Sequence, residues 1–193
     1  MAYADERLFL WINGLAGSIP VLDQIATWLC SDYLIPVNMA LALIMLWFIE
    51  PNRIARERHQ IGVFVALTSM ALSSFFVFIV NALYFRPRPF ETLDANVLFY
   101  KPTDSSFPSN AAAAMFGIAI AVFCVHRKMG ILLIFLASLH SLSRIYTGIH
   151  YPLDILSGAV IAIVVTMLTL QGRNLLMPIL KVVMKIIRIL CLA

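Results

Sequence analysis

Residues 60–85 read QIGVFVALTSMALSSFFVFIVNALYF, twenty-six positions without a single Asp, Glu, Lys or Arg. At about 1.5 Å of rise per residue this run makes a helix of about 39 Å, longer than the roughly 30 Å hydrocarbon core of a bilayer. Gln60–Phe85 therefore reads as a membrane span, and the rest of the chain repeats the theme. Further spans are expected at about Asp32–Ile49, with Val21 as the farthest start of that segment, and at Ser109–Val125, Gly130–Tyr146 and Pro152–Leu170.

Composition agrees. Of 193 residues 62% are hydrophobic and 12% charged, with a mean hydropathy of +0.92. A soluble domain averages roughly 45–50% apolar and about 25% charged. These figures exclude soluble globular, disordered, collagenous and disulfide-rich secreted classes. The expected architecture is all-α: a polytopic transmembrane bundle of five to six spans forming one domain over residues 1–193, its core at about 60–170. Residues 6–17 are too short to span alone. They read as an interfacial helix, or as the outer half of a sixth span broken by Gly17 and Pro20. The tail from Arg173 spaces Lys181, Lys185 and Arg188 four and three apart on an apolar background, the pattern of an amphipathic helix on an anionic leaflet. The start, Met1-Ala-Tyr-Ala-Asp-Glu-Arg, lacks the basic region of a signal peptide. Cys30, Cys124 and Cys191 lie in apolar surroundings without metal-ligand spacing.

The net charge of +4 does not point to nucleic acid, because the cations sit in short loops between apolar runs. If the five spans alternate, nine Lys/Arg and two acids (Glu50, Glu57) share one face, while five Lys/Arg and eight acids share the other. The positive-inside rule makes the nine-cation face cytoplasmic. The connections around 86–108 and His150 then face outward.

Those outward connections hold nearly all the unusual polar residues: Asn81-Ala-Leu-Tyr-Phe-Arg-Pro-Arg-Pro-Phe90, Ser105-Ser-Phe-Pro-Ser-Asn-Ala111 and Ser143-Arg-Ile-Tyr-Thr-Gly-Ile-His-Tyr-Pro-Leu-Asp154. In the third, Asp154 stands one helical turn beyond His150, where a carboxylate can take the Nδ1 proton and free Nε2 to attack. An isolated His–Asp pair more often ties two helix ends together; three polar segments capping helices in one plane point to chemistry. In Arg-Pro-Arg-Pro the prolines hold an extended backbone. Arg88 with Arg144 is expected to clamp a phosphate through forked contacts, while Arg86 snorkels to the interface. Pro108-Ser109-Asn110 opens a helix whose free N–H groups at Ser109, Asn110 and Ala111 suit an anion.

These segments resemble the signature of the type 2 phosphatidic acid phosphatase superfamily: Lys-x6-Arg-Pro, then Pro-Ser-x-His, then Ser-Arg-x5-His-x3-Asp. The third motif matches in full from Ser143 to Asp154, and the short chain looks most like the bacterial undecaprenyl-diphosphatase branch. The resemblance implies a helical phosphatase without metal or other cofactor, acting on a polyprenyl or other lipid phosphate. It implies His150 as nucleophile through a phosphohistidine, Asp154 as its orienter, and Arg88, Arg144, Ser109 and Asn110 around the phosphate. It also implies a bacterial inner-membrane location, with the site outward and the product recycled as carrier lipid for cell-wall synthesis. Two positions depart. Asn81 replaces the Lys of the first motif, keeping a hydrogen-bond donor but no charge. Ala111 replaces the second-motif His that protonates the leaving group, a loss of roughly 10²–10⁴-fold in rate. Three readings stay open: a leaving group that needs no proton, an inactivated substrate-trapping variant, or a lipid-phosphate binder without turnover. A lipid phosphomonoesterase, on phosphatidic acid or phosphatidylglycerol phosphate, is the alternative activity. His140, one turn before Arg144, reads as a satisfied interhelical histidine.

Overall fold

The computed structural model describes residues 2–189. Among them every regular element is a helix and none is a strand: α1 (Ala2–Asn13), α2 (Pro20–Cys30), α3 (Leu34–Phe48), α4 (Arg53–Leu83), the single turn α5 (Pro89–Thr92), α6 (Asn110–Val125), α7 (Arg127–Tyr146), α8 (Pro152–Gln171) and α9 (Arg173–Ile189). By length and composition α4, α7 and α8 can each cross a membrane. The pair α2 and α3, bent by 49° at the break between them, qualifies together as one broken span. The expected 109–125 segment is α6, an apolar helix of 16 residues, shorter than the others.

Helix α6 is short because it is inside. It packs against α4, α7 and α8, and Ala112, Ala113, Gly117, Ala119 and Ala121 are all buried. Small side chains let backbones approach closely, which is how helices associate when lipid supplies no hydrophobic drive. Gly158 of α8 shows how close: a Cβ there would stand 2.5 Å from the Ser109 carbonyl oxygen. The apolar core runs through Ile35, Met39, Leu43 and Leu46 of α3, Val63 and Ala66 of α4, Val122 of α6, and Leu133 and Ala137 of α7. Outward-facing Phe75, Phe78 and Leu83 of α4 and Val160, Val164 and Leu168 of α8 are exposed apolar side chains, as a lipid-facing surface requires.

The N-terminal helix differs from the expectation for 6–17. It spans Ala2–Asn13, and instead of simply lying on a surface it buries one face. Asp5, Phe9 and Asn13, four apart, are each less than 5% exposed. Asn13 works as a clasp. Its Nδ2 donates to the carbonyls of Asn96 and Tyr146, both at 2.8 Å, and its Oδ1 accepts from the Asn96 N–H at 2.8 Å. The clasp ties the 86–108 connection to the turn after α7. At that turn Gly148 has φ +88, and a Cβ would meet the Asn96 oxygen at 2.7 Å, so both conformation and space call for glycine. The expected tail helix is present as α9, with Lys185 exposed; the side chains of Lys181 and Arg188, and Cys191, lie outside the described residues.

Candidate active site

The C-terminal ends of α4 and α7 and the N-terminal ends of α6 and α8 meet at one end of the bundle, so the three polar segments converge as their spacing suggested. They line a cavity of about 190 Å³ with Arg88, Asp104, Asn110, Ala111, Arg144 and His150 on its walls, joined by Asp32 and Tyr100.

His150 is buried at its centre. Its Nδ1 lies 3.1 Å from the carbonyl oxygen of Ser106, which can only accept, so the proton sits on Nδ1. Nε2 is then the lone-pair nitrogen, facing Nη1 of Arg88 at 3.4 Å and Oγ of Ser109 at 3.5 Å. The expected direct partner, Asp154, stands farther from Nδ1, at 3.6 Å. Its Oδ2 instead accepts from Ser106 Oγ at 2.5 Å and from the Tyr151 N–H at 2.9 Å. Ser106 thus stands between the carboxylate and the imidazole, touching both. Burial, and then the charges of Arg88 and Arg144, hold the His150 pKa below the ordinary imidazole value despite the opposing pull of Asp154. The ring is neutral at neutral pH, the form a nucleophile needs.

Arg86 does not snorkel. Its guanidinium forks between Asp5 (2.7 Å) and Asp154 (2.6 Å) and stacks 4.0 Å over the Tyr151 ring. Burial works against its charge, but the hydrogen bonds and charges of the two carboxylates outweigh it, so its pKa is raised. Asp5 also accepts from the Leu153 N–H at 2.9 Å, satisfying one of the orphan donors of α8. The snorkelling expectation fails because no local pattern shows that a carboxylate 81 positions away folds onto this side chain.

The two phosphate-clamp candidates do share the cavity. Arg88, 3% exposed, is held by the carbonyls of Ile149 (2.8 Å) and Asp104 (3.0 Å) and paired with Asp104 Oδ1 at 2.7 Å. Arg144 pairs with Asp32 Oδ1 at 2.5 Å, and its Nε donates to His140 Nε2 at 2.9 Å. An arginine only donates, so His140 carries its proton on Nδ1, which donates to the Leu29 carbonyl at 2.7 Å. The satisfied histidine expected there is therefore also a brace for Arg144. Asp32 and Asp104 expose 44% and 66% of their side chains, so each can leave its arginine for water when a stronger anion arrives. Tyr100 donates to Asp32 at 3.0 Å; burial and then that bond raise its pKa.

Two expectations need correction. The N–H of Ser109 is not free: it donates to the Asp154 carbonyl at 3.0 Å, while Ser109 Oγ caps α6 by accepting from Ala112. Asn110 and Ala111 remain to present donors. Asn81 lies outside the arginine cavity, in an adjoining one of about 400 Å³ that shares Asp104, Ser105 and Asn110 with it and is walled by Val77, Phe78 and Phe85. The Asn81 Oδ1 is buried there without a hydrogen-bond partner. Lys101 sits over the Phe90 ring. Sequence reasoning missed Asp5, Asp32 and Ser106. The spacing of Asp5, Phe9 and Asn13 was the available signal for the first; the other two carry none. Among the described residues no cluster of three or more His, Cys, Asp or Glu is placed to hold a metal ion.

The sequence profile of the PAP2 superfamily matches residues 62–178. The chain is 31% identical to the undecaprenyl-diphosphatase BcrC of Bacillus subtilis over 94% of its own length and 91% of that protein. It is 33% identical to the putative undecaprenyl-diphosphatase YbjG of Escherichia coli over 78% and 73% of the two chains. Among solved structures it superposes on LpxE of Aquifex aeolicus with a TM-score of 0.66 and 30% identity, covering 86% of this chain and 93% of that one.

Proposed function

The chain belongs to the PAP2 superfamily, and from that premise we propose that it is a membrane lipid phosphatase that hydrolyses undecaprenyl diphosphate to undecaprenyl phosphate. The observation that carries this reading is the buried His150, its proton committed to the Ser106 carbonyl and its Nε2 turned toward Arg88 and Ser109. The adjoining cavity has an apolar wall, Val77, Phe78, Ala82 and Phe85, against which a chain attached to that phosphate can lie, and this supports a lipid over a soluble ester.

The terminal phosphate enters between Arg88 and Arg144, displacing Asp104 and Asp32. Nε2 of His150 attacks phosphorus; the new P–N bond forms as the bond to the bridging oxygen breaks, and undecaprenyl phosphate leaves with that electron pair. The guanidiniums and the N–H groups opening α6 take up the developing charge. Phosphorylation at Nε2 with the Nδ1 proton retained makes the ring cationic, and Asp154 at 3.6 Å stabilises it. Water then attacks phosphorus, the P–N bond breaks with its electrons returning to Nε2, and inorganic phosphate and one proton are released.

Ala111 lines this cavity and has no proton to give. A departing lipid phosphate has a second pKa of about 6, far below that of an alcohol, so a diphosphate suffers least from the missing acid. We place the site on the outward face of a bacterial inner membrane, recycling carrier lipid for cell-wall synthesis, because the cation-rich loops lie at the opposite end of the bundle. Ala111 is also the one observation that favours a second reading, a lipid-phosphate binder without turnover.

Phosphate release from undecaprenyl diphosphate in detergent, for this chain and its Ala111→His variant, tests both. Turnover in the histidine variant alone identifies Ala111 as a disabled acid. Equal rates mean that the leaving group departs unprotonated or takes its proton from another group. Release by neither overturns the diphosphatase reading and leaves the binder or a phosphatase acting on a different lipid.

A further inference from the structure

At the end of the bundle opposite His150, the start of α4, the end of α6 and the corner between α8 and α9 enclose a cavity of about 450 Å³. Its floor is apolar, with Ile61, Val65 and Leu170, and its rim is polar, with Arg58, Arg173 and Asn174. Neither guanidinium has a carboxylate within salt-bridge distance among the described residues, whereas every arginine lining the catalytic cavity has one. Glu57, also on the rim, is the acid facing the site among the described residues; the last carbonyls of α6 and α8 add partial negative charge, and among those residues the two arginines are in excess.

We propose that this cavity is a binding site for one anionic phospholipid of the leaflet opposite the catalytic pocket. The phosphate rests between Arg58 and Arg173 with the Asn174 amide as a further donor, and the first segments of an acyl chain lie on the apolar floor. Charge complementarity selects this occupant. A zwitterionic lipid brings its own cation to a rim that already has two, and a free phosphate leaves the floor uncovered. Surface arginines that merely snorkel stand over packed helix or lipid; these two stand over a hollow. The site is separate from the His150 chemistry and stands whether or not the chain turns over a diphosphate.

Cys124 lines the same cavity and is exposed, whereas Cys30 is buried, so a thiol probe reads occupancy directly. In a Cys191→Ser background, maleimide labelling of Cys124 is followed in neutral detergent with added phosphatidylglycerol, phosphatidylcholine or inorganic phosphate. Phosphatidylglycerol at about ten times its dissociation constant leaves roughly a tenth of sites free and slows labelling about ten-fold. Phosphatidylcholine and phosphate leave the rate unchanged, Arg58→Gln with Arg173→Gln abolishes the protection, and Arg58→Lys with Arg173→Lys keeps most of it. Equal protection by phosphatidylcholine, protection by phosphate alone, or protection that survives the double glutamine variant overturns the proposal. Labelling of Cys30 reports loss of fold, in which case the comparison of the two lipids on the unsubstituted arginines decides.

Discussion

The two ends of this bundle use arginine in opposite ways. At the end that holds His150, Arg86, Arg88 and Arg144 are withdrawn from water; each is paired with a carboxylate brought in by the fold, and Arg144 is braced as well by His140 one turn away. At the other end Arg58 and Arg173 stand exposed on a rim. Position in a membrane accounts for the second pattern: a cation near headgroups needs no protein partner. It does not account for the first. Sequestering three guanidiniums at one end costs desolvation that only oriented partners offset, and such an arrangement is useful where charge must be met at a fixed point.

The sharpest way to break that contrast is to remove the group the catalytic end is built around. His150→Gln is expected to lower phosphate release by roughly 10⁴-fold or more, the scale for losing a covalent nucleophile, and to abolish acid-labile label on the protein in a single-turnover assay. Next come the arginines themselves. Arg144→Lys, which loses the fork and the bond to His140, should cost roughly 10²–10³-fold in kcat, whereas Arg58→Lys should leave kcat unchanged. A comparable loss at both positions would erase the distinction drawn between the ends.

The acid limb of the pH profile sharpens the comparison further. Burial and two arginines lower the His150 pKa, so kcat/KM should persist below pH 6.5 and fall only as the ring protonates beneath that value. Arg88→Gln removes one of those charges, and the limb should move toward higher pH; no movement would mean that Arg88 does not act on the ring. The same shift acts on stability. The unfolded chain binds the proton at a higher pH than the folded one, so this group's contribution declines as pH drops below about 6.5. The smallest effect falls on the support helix. Asp5→Ala strips Arg86 of one partner and the Leu153 N–H of its acceptor, and should cost about 1–3 kcal/mol in denaturant unfolding while leaving the pH limb in place.

What the amino-acid order discloses follows the range of the interaction. Helix spans are local, and Gln60–Phe85 announces itself through a property of consecutive residues. His150 and Asp154 are one turn apart, so their neighbourhood is equally legible, although Ser106 intervenes from 44 positions away to take the ring proton. Asp32 and Asp104 reach their arginines only after the loops have folded. Asn81 shows the limit of a pattern. Its spacing to Arg88 matches the first motif, yet at the end of α4 it faces the neighbouring cavity, so helical phase and loop path settle what spacing alone leaves open.

The pairing of Asp32 with Arg144 and of Asp104 with Arg88 has a consequence for how a ligand is found. Two guanidiniums and two carboxylates cancel when seen from a distance, so the pocket casts little net field into the surrounding solvent. A soluble anion would gain no steering from it. A molecule tethered by its hydrocarbon tail searches in only two dimensions and needs none. It meets the arginines at contact range, where exchanging carboxylate for phosphate is decided by geometry. For the lipid substrate proposed above, this balance of charge favours arrival by lateral diffusion and gives bulk phosphate no advantage.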